Sequence, residues 1–80
     1  MTDTLRNETK VEWRSCSQPP EPNDFGVYIT WNPRTARPGA FLSFYNHRQS
    51  LWVAAGGIFL LPTHWVPFEE VFDLTRLAAP

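Results

Sequence analysis

One cysteine and two histidines are the residues whose chemistry could support nucleophilic catalysis in this chain. Cys16 is the sole thiol, and a thiol–imidazole pair would require the fold to bring it to His47 or His64. The spacing suggests no third group to orient the imidazole, and the carboxylates lie towards the two ends of the chain. The sequence also lacks phosphate-binding glycine loops and the GxSxG and HExxH motifs. We therefore expect a protein that is not an enzyme.

The same three side chains are the nitrogen and sulfur ligands available for a metal ion. None of them stands at the spacing of a metal site, so we predict no metal and no cofactor. A single cysteine also excludes an intrachain disulfide. Two readings of Cys16 stay open: a half-buried small residue, or an exposed thiol that forms an intermolecular disulfide and so makes a structural homodimer.

The charge of the chain is close to balanced but unevenly distributed. The net charge is −1, which excludes a protein that coats nucleic acid through bulk charge. Residues 25–66 carry three arginines and no acidic residue, whereas 1–24 and 67–80 each sum to −2. Lysine provides only one of the seven basic residues, and arginine is favoured where planar, bidentate contacts matter. The central segment is therefore the candidate for contact with a partner.

Aromatic side chains accompany these arginines. Tyrosine and arginine are over-represented among the residues that dominate binding energy at interfaces. The predicted docking face would meet an acidic surface of a protein or ribonucleoprotein complex, and its residues are Arg34, Arg37, Arg48, Tyr28, Tyr45 and His47. A plainer interpretation is that the rings cover the second face of a sheet and the arginines are solvated. Binding of single-stranded nucleic acid is a further alternative, although so few cations argue against it.

The hydrophobic pattern predicts one small domain with a β-sheet. Residues 1–10 are polar and are expected to be flexible, and 11–80 are expected to form a single compact domain. Trp13 lies in a short edge segment, and three prolines make 18–24 a connector. Alternation predicts strands over 25–31, 40–45 and 51–55 and a short one over 58–61, with a tight turn at Gly56-Gly57.

The spacing of the apolar residues changes near the C-terminus. Pro67 suits the first position of a helix, and Glu69 and Glu70 suit its positive end. Apolar residues then recur at helical spacing, which predicts a short amphipathic helix over 68–77. The predicted fold class is α+β: a small antiparallel β-sheet of three to four strands with one short C-terminal helix.

The string Thr63-His64-Trp65-Val66-Pro67 is the most distinctive in the chain. With Trp13 and the proline-rich turn after it, the chain resembles a small bacterial and prophage family of unknown function that closes on a Thr-His-Trp-x-Pro motif. The likeness covers about 11–67, and the tail beyond Pro67 departs from the family. The resemblance implies a phage-type context, in which a small non-enzymatic protein would be a stoichiometric inhibitor of a bacterial defence complex, of the anti-CRISPR kind.

The chain is expected to work in the cytoplasm of a bacterial host cell. No signal peptide is visible, and the longest apolar run is too short to span a bilayer, so we expect no membrane contact. The function predicted from the sequence is therefore stoichiometric protein binding through the arginine and aromatic residues of the central segment. A nucleic-acid-binding accessory protein and a homodimer linked through Cys16 are the alternatives.

Overall fold

A single antiparallel sheet dominates the fold. The computed structural model describes residues 11–23, 25–71 and 76–80. Within these ranges the sheet has six strands, and one 3-10 turn, Phe68–Glu70, follows the last of them. The strands are β1 (Arg14–Ser15), β2 (Tyr28–Asn32), β3 (Gly39–Asn46), β4 (Leu51–Ala54), β5 (Phe59–Leu60) and β6 (His64–Pro67).

The last strand lies inside the sheet and not at its end. The order across the sheet is β1-β6-β2-β3-β4-β5, with every neighbouring pair antiparallel. Trp65 of β6 stands opposite Arg14 on one side and opposite Thr30 on the other. The central strands β2, β3 and β4 form a meander of hairpins, and β6 returns to join that meander to β1.

The connection between β5 and β6 requires the sheet to roll. Four strand spacings separate these two strands, which is about 19 Å in a flat sheet. From Leu60 to His64 the chain has only four residue steps, which span at most about 14 Å. The sheet must therefore curl until β5 approaches β6, and the curl encloses one face of the sheet, here called the inner face.

The inner face holds most of the core. Aromatic rings meet edge-on inside it: Tyr28 lies 5.7 Å from Trp52 and 5.4 Å from Trp65, between ring centroids. The indole of Trp65 donates to the carbonyl oxygens of Ser15 and Gln18, which brings the proline-rich connector to this core. The buried side chains of the inner face are Tyr28, Thr30, Asn32, Ser43, Trp52, Ala54, Leu60 and Trp65.

The opposite, outer face is covered along only part of its width. Ile29 and Val66 are fully buried there beneath Val11, Trp13, Val71 and Leu77 from the two ends of the chain. The indole nitrogen of Trp13 donates to the carbonyl oxygen of Ala78, and this bond holds the two end segments together. On β3, β4 and β5 no described segment covers the outer-face side chains in this way, and several of them are exposed.

The predicted C-terminal helix is wrong over its described part. The helical pattern lasts for the single turn Phe68–Glu70, and Val71 already has extended backbone angles of −113° and 114°. Val71 is buried against the outer face. It makes this contact with the sheet from an extended backbone, whereas the predicted helix would have made it from a helical one. Residues 72–75 of the predicted helix lie outside the described residues. The protein is nearly all-β, and the α+β class is corrected accordingly.

The predicted number of strands, three to four, is also wrong. The two additional strands are β1, which follows Trp13 of the predicted edge segment, and β6, which lies between the last predicted strand and the predicted helix. Pro67 is tolerated because it ends that strand, where its lack of an N–H removes little. The turn at Gly56-Gly57 is confirmed, since both residues have φ near +100°, which glycine adopts without strain. No helix among the described residues has the length and apolar character needed to cross a membrane.

Candidate functional site

The loop between β2 and β3 carries two of the predicted docking residues. Arg34 and Arg37 are both exposed. The Thr35 hydroxyl lies 2.8 Å from the carbonyl oxygen of Arg37 and 3.3 Å from that of Asn32, so the loop is braced across its base. Such local bonds fix the backbone from which the two guanidinium groups extend.

The turn between β3 and β4 carries the other basic residue. The side-chain oxygen of Asn46 accepts hydrogen bonds from the backbone N–H groups of Arg48 and Gln49, at 3.0 and 3.2 Å. This Asx-type turn positions His47, whose ring packs edge-on against Tyr45 with centroids 4.7 Å apart. Tyr45 in turn packs against Trp52 at 4.8 Å, so the turn is anchored to the core through aromatic contacts.

Tyr45 lies between two cavities that connect these loops. The first, of about 240 Å³, is lined by Arg34 and Tyr45 together with Cys16, Trp52 and Leu60. The second, of about 320 Å³, is lined by Tyr45, His47 and Arg48 among others. The roll of the sheet thus places side chains from both loops around one tyrosine. The docking face, as used below, comprises Arg34, Tyr45, His47 and Arg48, together with Arg37, which lies in the same loop as Arg34 but lines neither cavity.

The guanidinium groups of the docking face have no acidic partner in the part of the chain that the structure describes. Among the residues that the structure describes, no carboxylate lies within ion-pair distance of Arg34, Arg37 or Arg48. Arg14 shows the contrast: both of its terminal nitrogens bond the carboxylate of Glu70, at 3.1 and 3.2 Å. Within the described ranges, the carboxylates therefore leave the three central arginines available to a ligand.

Tyr28, predicted as part of the docking face, lies in the interior. Only 7% of its surface is exposed, and its ring packs against Trp52 and Trp65. Burial, with the Glu69 carboxylate as a smaller cause, raises the pKa of the phenol. A Cβ atom at Gly26 would overlap the same ring, which explains glycine at that position. Tyr28 is a core residue, and we leave it out of the docking face.

Cys16 lines the first cavity and is half-buried. Its backbone N–H donates to the carbonyl oxygen of Thr63 at 3.0 Å, beside the point where the chain enters β6. Burial raises the pKa of the thiol to about 11, which lowers the thiolate fraction at neutral pH. The partial burial of Cys16 and the raised pKa of its thiol both disfavour the disulfide-linked homodimer. Within the described ranges, no group of three His, Cys, Asp or Glu side chains is arranged to hold a metal ion.

The sequence did not indicate the apolar wall of the first cavity. Trp52 and Leu60 come from strands that were predicted, but nothing in their alternation places them near Arg34. The three-residue link 61–63 could not have served as a signal, because it implies a rolled sheet only once the order of the strands is known. Comparisons of the chain with protein-family models, curated proteins and solved structures returned no match. The resemblance to a bacterial and prophage family therefore stays a prediction.

Proposed function

We propose that the protein is a non-catalytic binding module whose docking face receives an acidic segment of another protein. One observation carries this proposal: Arg34 and Tyr45 line a common cavity, and no carboxylate of the described chain neutralises Arg34. An arginine left without an internal partner beside an aromatic ring is the arrangement that interface hot spots use. The wider segment 25–66, with three arginines and no acid, adds long-range attraction for an anionic partner.

The size and lining of the first cavity define what would bind. About 240 Å³ is below the usual range for a drug-sized ligand, which is roughly 300 to 1,000 Å³, so the cavity fits one or two side chains of a peptide. Trp52 and Leu60 give it an apolar wall, and Arg34 contributes a donor fork that matches a carboxylate. The expected ligand is an apolar or aromatic side chain flanked by Asp or Glu.

The test is an NMR titration, in which a synthetic peptide of this kind is added to isotope-labelled protein and the amide chemical shifts of the protein are measured. We expect saturable shifts around Arg34, Tyr45 and His47, and none when the acidic residues of the peptide are replaced by their amides. The variant Arg34→Gln/Arg37→Gln should bind about tenfold or more weakly, since charge-assisted hydrogen bonds contribute about 1.5–3 kcal/mol. An unchanged affinity in this variant would refute the assignment.

A matched control separates local contact from overall charge. Gln18→Glu/Ala79→Glu changes the net charge by the same −2, and both residues are exposed and line neither of the two cavities. This control should bind the peptide nearly as well as the wild type. A labelled oligonucleotide titrated at two salt concentrations tests the nucleic-acid alternative, because phosphate contacts give a steep salt dependence. Inhibition of a bacterial defence complex stays a prediction that rests on the resemblance alone.

A further inference from the structure

A cavity lined by carboxylates lies where the proline-rich connector meets β6. It has two compartments, of about 330 and 240 Å³, and Tyr28, Pro67 and Glu69 line both of them. Glu21 and Trp65 line the larger compartment. Within the described ranges, no Lys, Arg or His side chain lines either compartment. The two compartments together are called the acidic cavity below.

The two carboxylates of the acidic cavity have no cationic partner among the described residues. Glu21 and Glu69 are both exposed, and no Lys, Arg or His nitrogen of the described chain lies within ion-pair distance of either. The neighbouring Glu70 differs, because Arg14 matches its charge. The acidic cavity therefore attracts a cation and repels phosphates and carboxylates.

The hydroxyl group of Tyr28 is a further polar group of the acidic cavity that lacks a partner. Tyr28 is only 7% exposed, yet its hydroxyl makes no hydrogen bond to any described residue. The hydroxyl oxygen lies against Gly26, which lines the smaller compartment, and the Glu69 carboxylate acts on the same phenol. Polar groups of residues so deeply buried normally have a hydrogen-bond partner. The Tyr28 oxygen is thus placed to accept a hydrogen bond from a ligand.

Trp65 and the prolines of the connector give the acidic cavity an apolar wall. The guanidinium of Arg14 lies 5.2 Å from the centre of the Trp65 ring while its nitrogens bond the Glu70 carboxylate. The protein itself therefore combines this ring with a guanidinium and a carboxylate. Arg14 does not line the cavity, and the surface of Pro20 and Pro22 adjoins the ring there. Such a wall suits the methylene stem of a long basic side chain.

We propose that the acidic cavity binds the guanidinium group of an arginine side chain from a partner protein. A guanidinium has five N–H donors in one plane, enough for the carboxylates of Glu21 and Glu69 and the oxygen of Tyr28. An ammonium group has three donors and is more strongly hydrated, so lysine is the poorer ligand. Within the described ranges, no group of three His, Cys, Asp or Glu side chains is arranged for a metal ion, which disfavours a bare cation.

The acidic cavity adjoins the docking face. Asn23 and Gly26 line both its smaller compartment and the cavity of His47 and Arg48. The two sites have opposite charge, so a partner segment that carries an arginine near its acidic residues fits both. The origin of the arginine in a partner protein thus rests on the proposed docking function. The guanidinium site itself does not, because its carboxylates, its hydroxyl and its apolar wall belong to other residues.

The experiment is an NMR titration of the isotope-labelled full chain at low ionic strength. The probe is arginine blocked at both ends, Nα-acetyl-arginine N-methylamide, which presents the side chain as a protein does. We expect saturable shifts, in the millimolar range of probe, at the Trp65 indole N–H and at the backbone amides of Gly26 and Glu69. The blocked lysine derivative should bind more weakly, and the blocked glutamine derivative should cause no shift. Free arginine should also bind more weakly, because its own carboxylate is repelled.

Single substitutions locate the binding site. Glu69→Gln should weaken binding of the blocked arginine about three- to tenfold, since it removes a charge-assisted hydrogen bond. Tyr28→Phe keeps the ring and should weaken it about two- to tenfold. Glu12→Gln is the matched control: it removes the same charge at an exposed carboxylate that does not line the cavity, and should leave the affinity unchanged. Arg34→Gln/Arg37→Gln should also bind the probe as the wild type does, which separates this site from the docking face.

Four results would count against the proposal. A wild type without saturable shifts, or one whose affinity is the same in Glu69→Gln and Tyr28→Phe, would overturn the site. An equal loss in Glu69→Gln and Glu12→Gln would reduce it to general attraction by negative charge. A blocked lysine that binds as tightly as the blocked arginine would overturn the choice of guanidinium. Free arginine that binds more tightly would assign the cavity to a small molecule and overturn its occupation by a partner protein.

Discussion

The rings of Trp52 and Trp65 lie 6.1 Å apart between centroids, although β2 and β3 separate their strands. In a flat sheet three strand spacings would place them about 14 Å apart. The contact is therefore a direct consequence of the roll, and it closes the inner face without a covering helix. The same closure brings the β2–β3 loop towards β4 and β5, which is how Arg34 comes to share a cavity with Trp52.

Trp52→Ala should be the most destabilising single substitution at this closure. The ring contacts Tyr28, Tyr45 and Trp65, and its removal leaves a cavity that the neighbouring rings cannot fill. We expect a loss of about 3–5 kcal/mol in the free energy of unfolding, measured by urea denaturation. Phe25→Ala is the control and should stay within about 0.5 kcal/mol of the wild type. A loss below 1 kcal/mol at Trp52 would contradict the rolled packing.

The sequence predicted the local elements well and the roll not at all. Alternation located the three strands of the meander, and the glycine pair located the turn before β5. The sequence also placed Tyr28 in the docking face, which would leave one face of β2 accessible to a partner. The roll instead buries both faces, so Tyr28, Thr30 and Asn32 are interior residues. Long-range closure depends on how strands twist and pair, which the period of one strand does not encode.

A similar limit explains the errors at the C-terminus. A spacing of three and four residues after Pro67 is compatible with a helix, but so short a helix needs tertiary contacts to form. Val71 gains such contacts in an extended conformation, on Ile29 and Val66. The three central arginines were selected from the charge distribution alone, and their role in docking stays a prediction. The sequence grouped Arg34 with Tyr45 in one docking face, but it did not indicate the curvature of the sheet that lets both side chains line one cavity.

Thr30→Val tests the buried polar contacts of the inner face. The Thr30 hydroxyl lies 2.7 Å from that of Ser43 and accepts a hydrogen bond of 2.9 Å from the Asn32 amide, and all three residues are fully buried. Valine has nearly the shape of threonine but no hydroxyl. The Ser43 hydroxyl and the Asn32 amide would therefore each lose a hydrogen bond while they stay buried away from water. We expect a loss of about 1–3 kcal/mol in unfolding free energy. The double variant Thr30→Val/Ser43→Ala should lose less than the sum of the single losses, and strict additivity would show that the two hydroxyls do not interact.

The Arg14–Glu70 pair should contribute little to stability. Its two side chains are 37% and 42% exposed, and a pair so accessible to water is worth up to about 1 kcal/mol. A double-mutant cycle with Arg14→Met and Glu70→Gln should give a coupling in that range, decreasing at high salt. Arg14→Met alone should cost more than Glu70→Gln, because the guanidinium also lies 5.2 Å from the centre of the Trp65 ring. Glu69→Gln serves as the unpaired control, and a coupling above 2 kcal/mol would contradict the exposed geometry.

The raised pKa of Cys16 predicts both slow thiol chemistry and a pH-dependent stability. With a pKa of about 11 in the folded protein against 9.0 for a free thiol, the thiolate fraction at pH 8 falls about a hundredfold. Native protein should therefore react with iodoacetamide far more slowly than protein unfolded in urea. An equal rate in the two states would mean that the thiol is exposed and would reopen the disulfide-linked dimer.

The stability change has a definite sign. Below pH 9 the thiol is protonated in both states and contributes no pH dependence. Between pH 9 and about 11 the unfolded chain loses its proton while the folded protein keeps it, so the free energy of unfolding falls as pH rises. Cys16→Ser removes this contribution, and its stability should decline less over that interval than that of the wild type. Identical slopes for the two proteins, from urea denaturation at each pH, would show that the thiol is not desolvated in the fold.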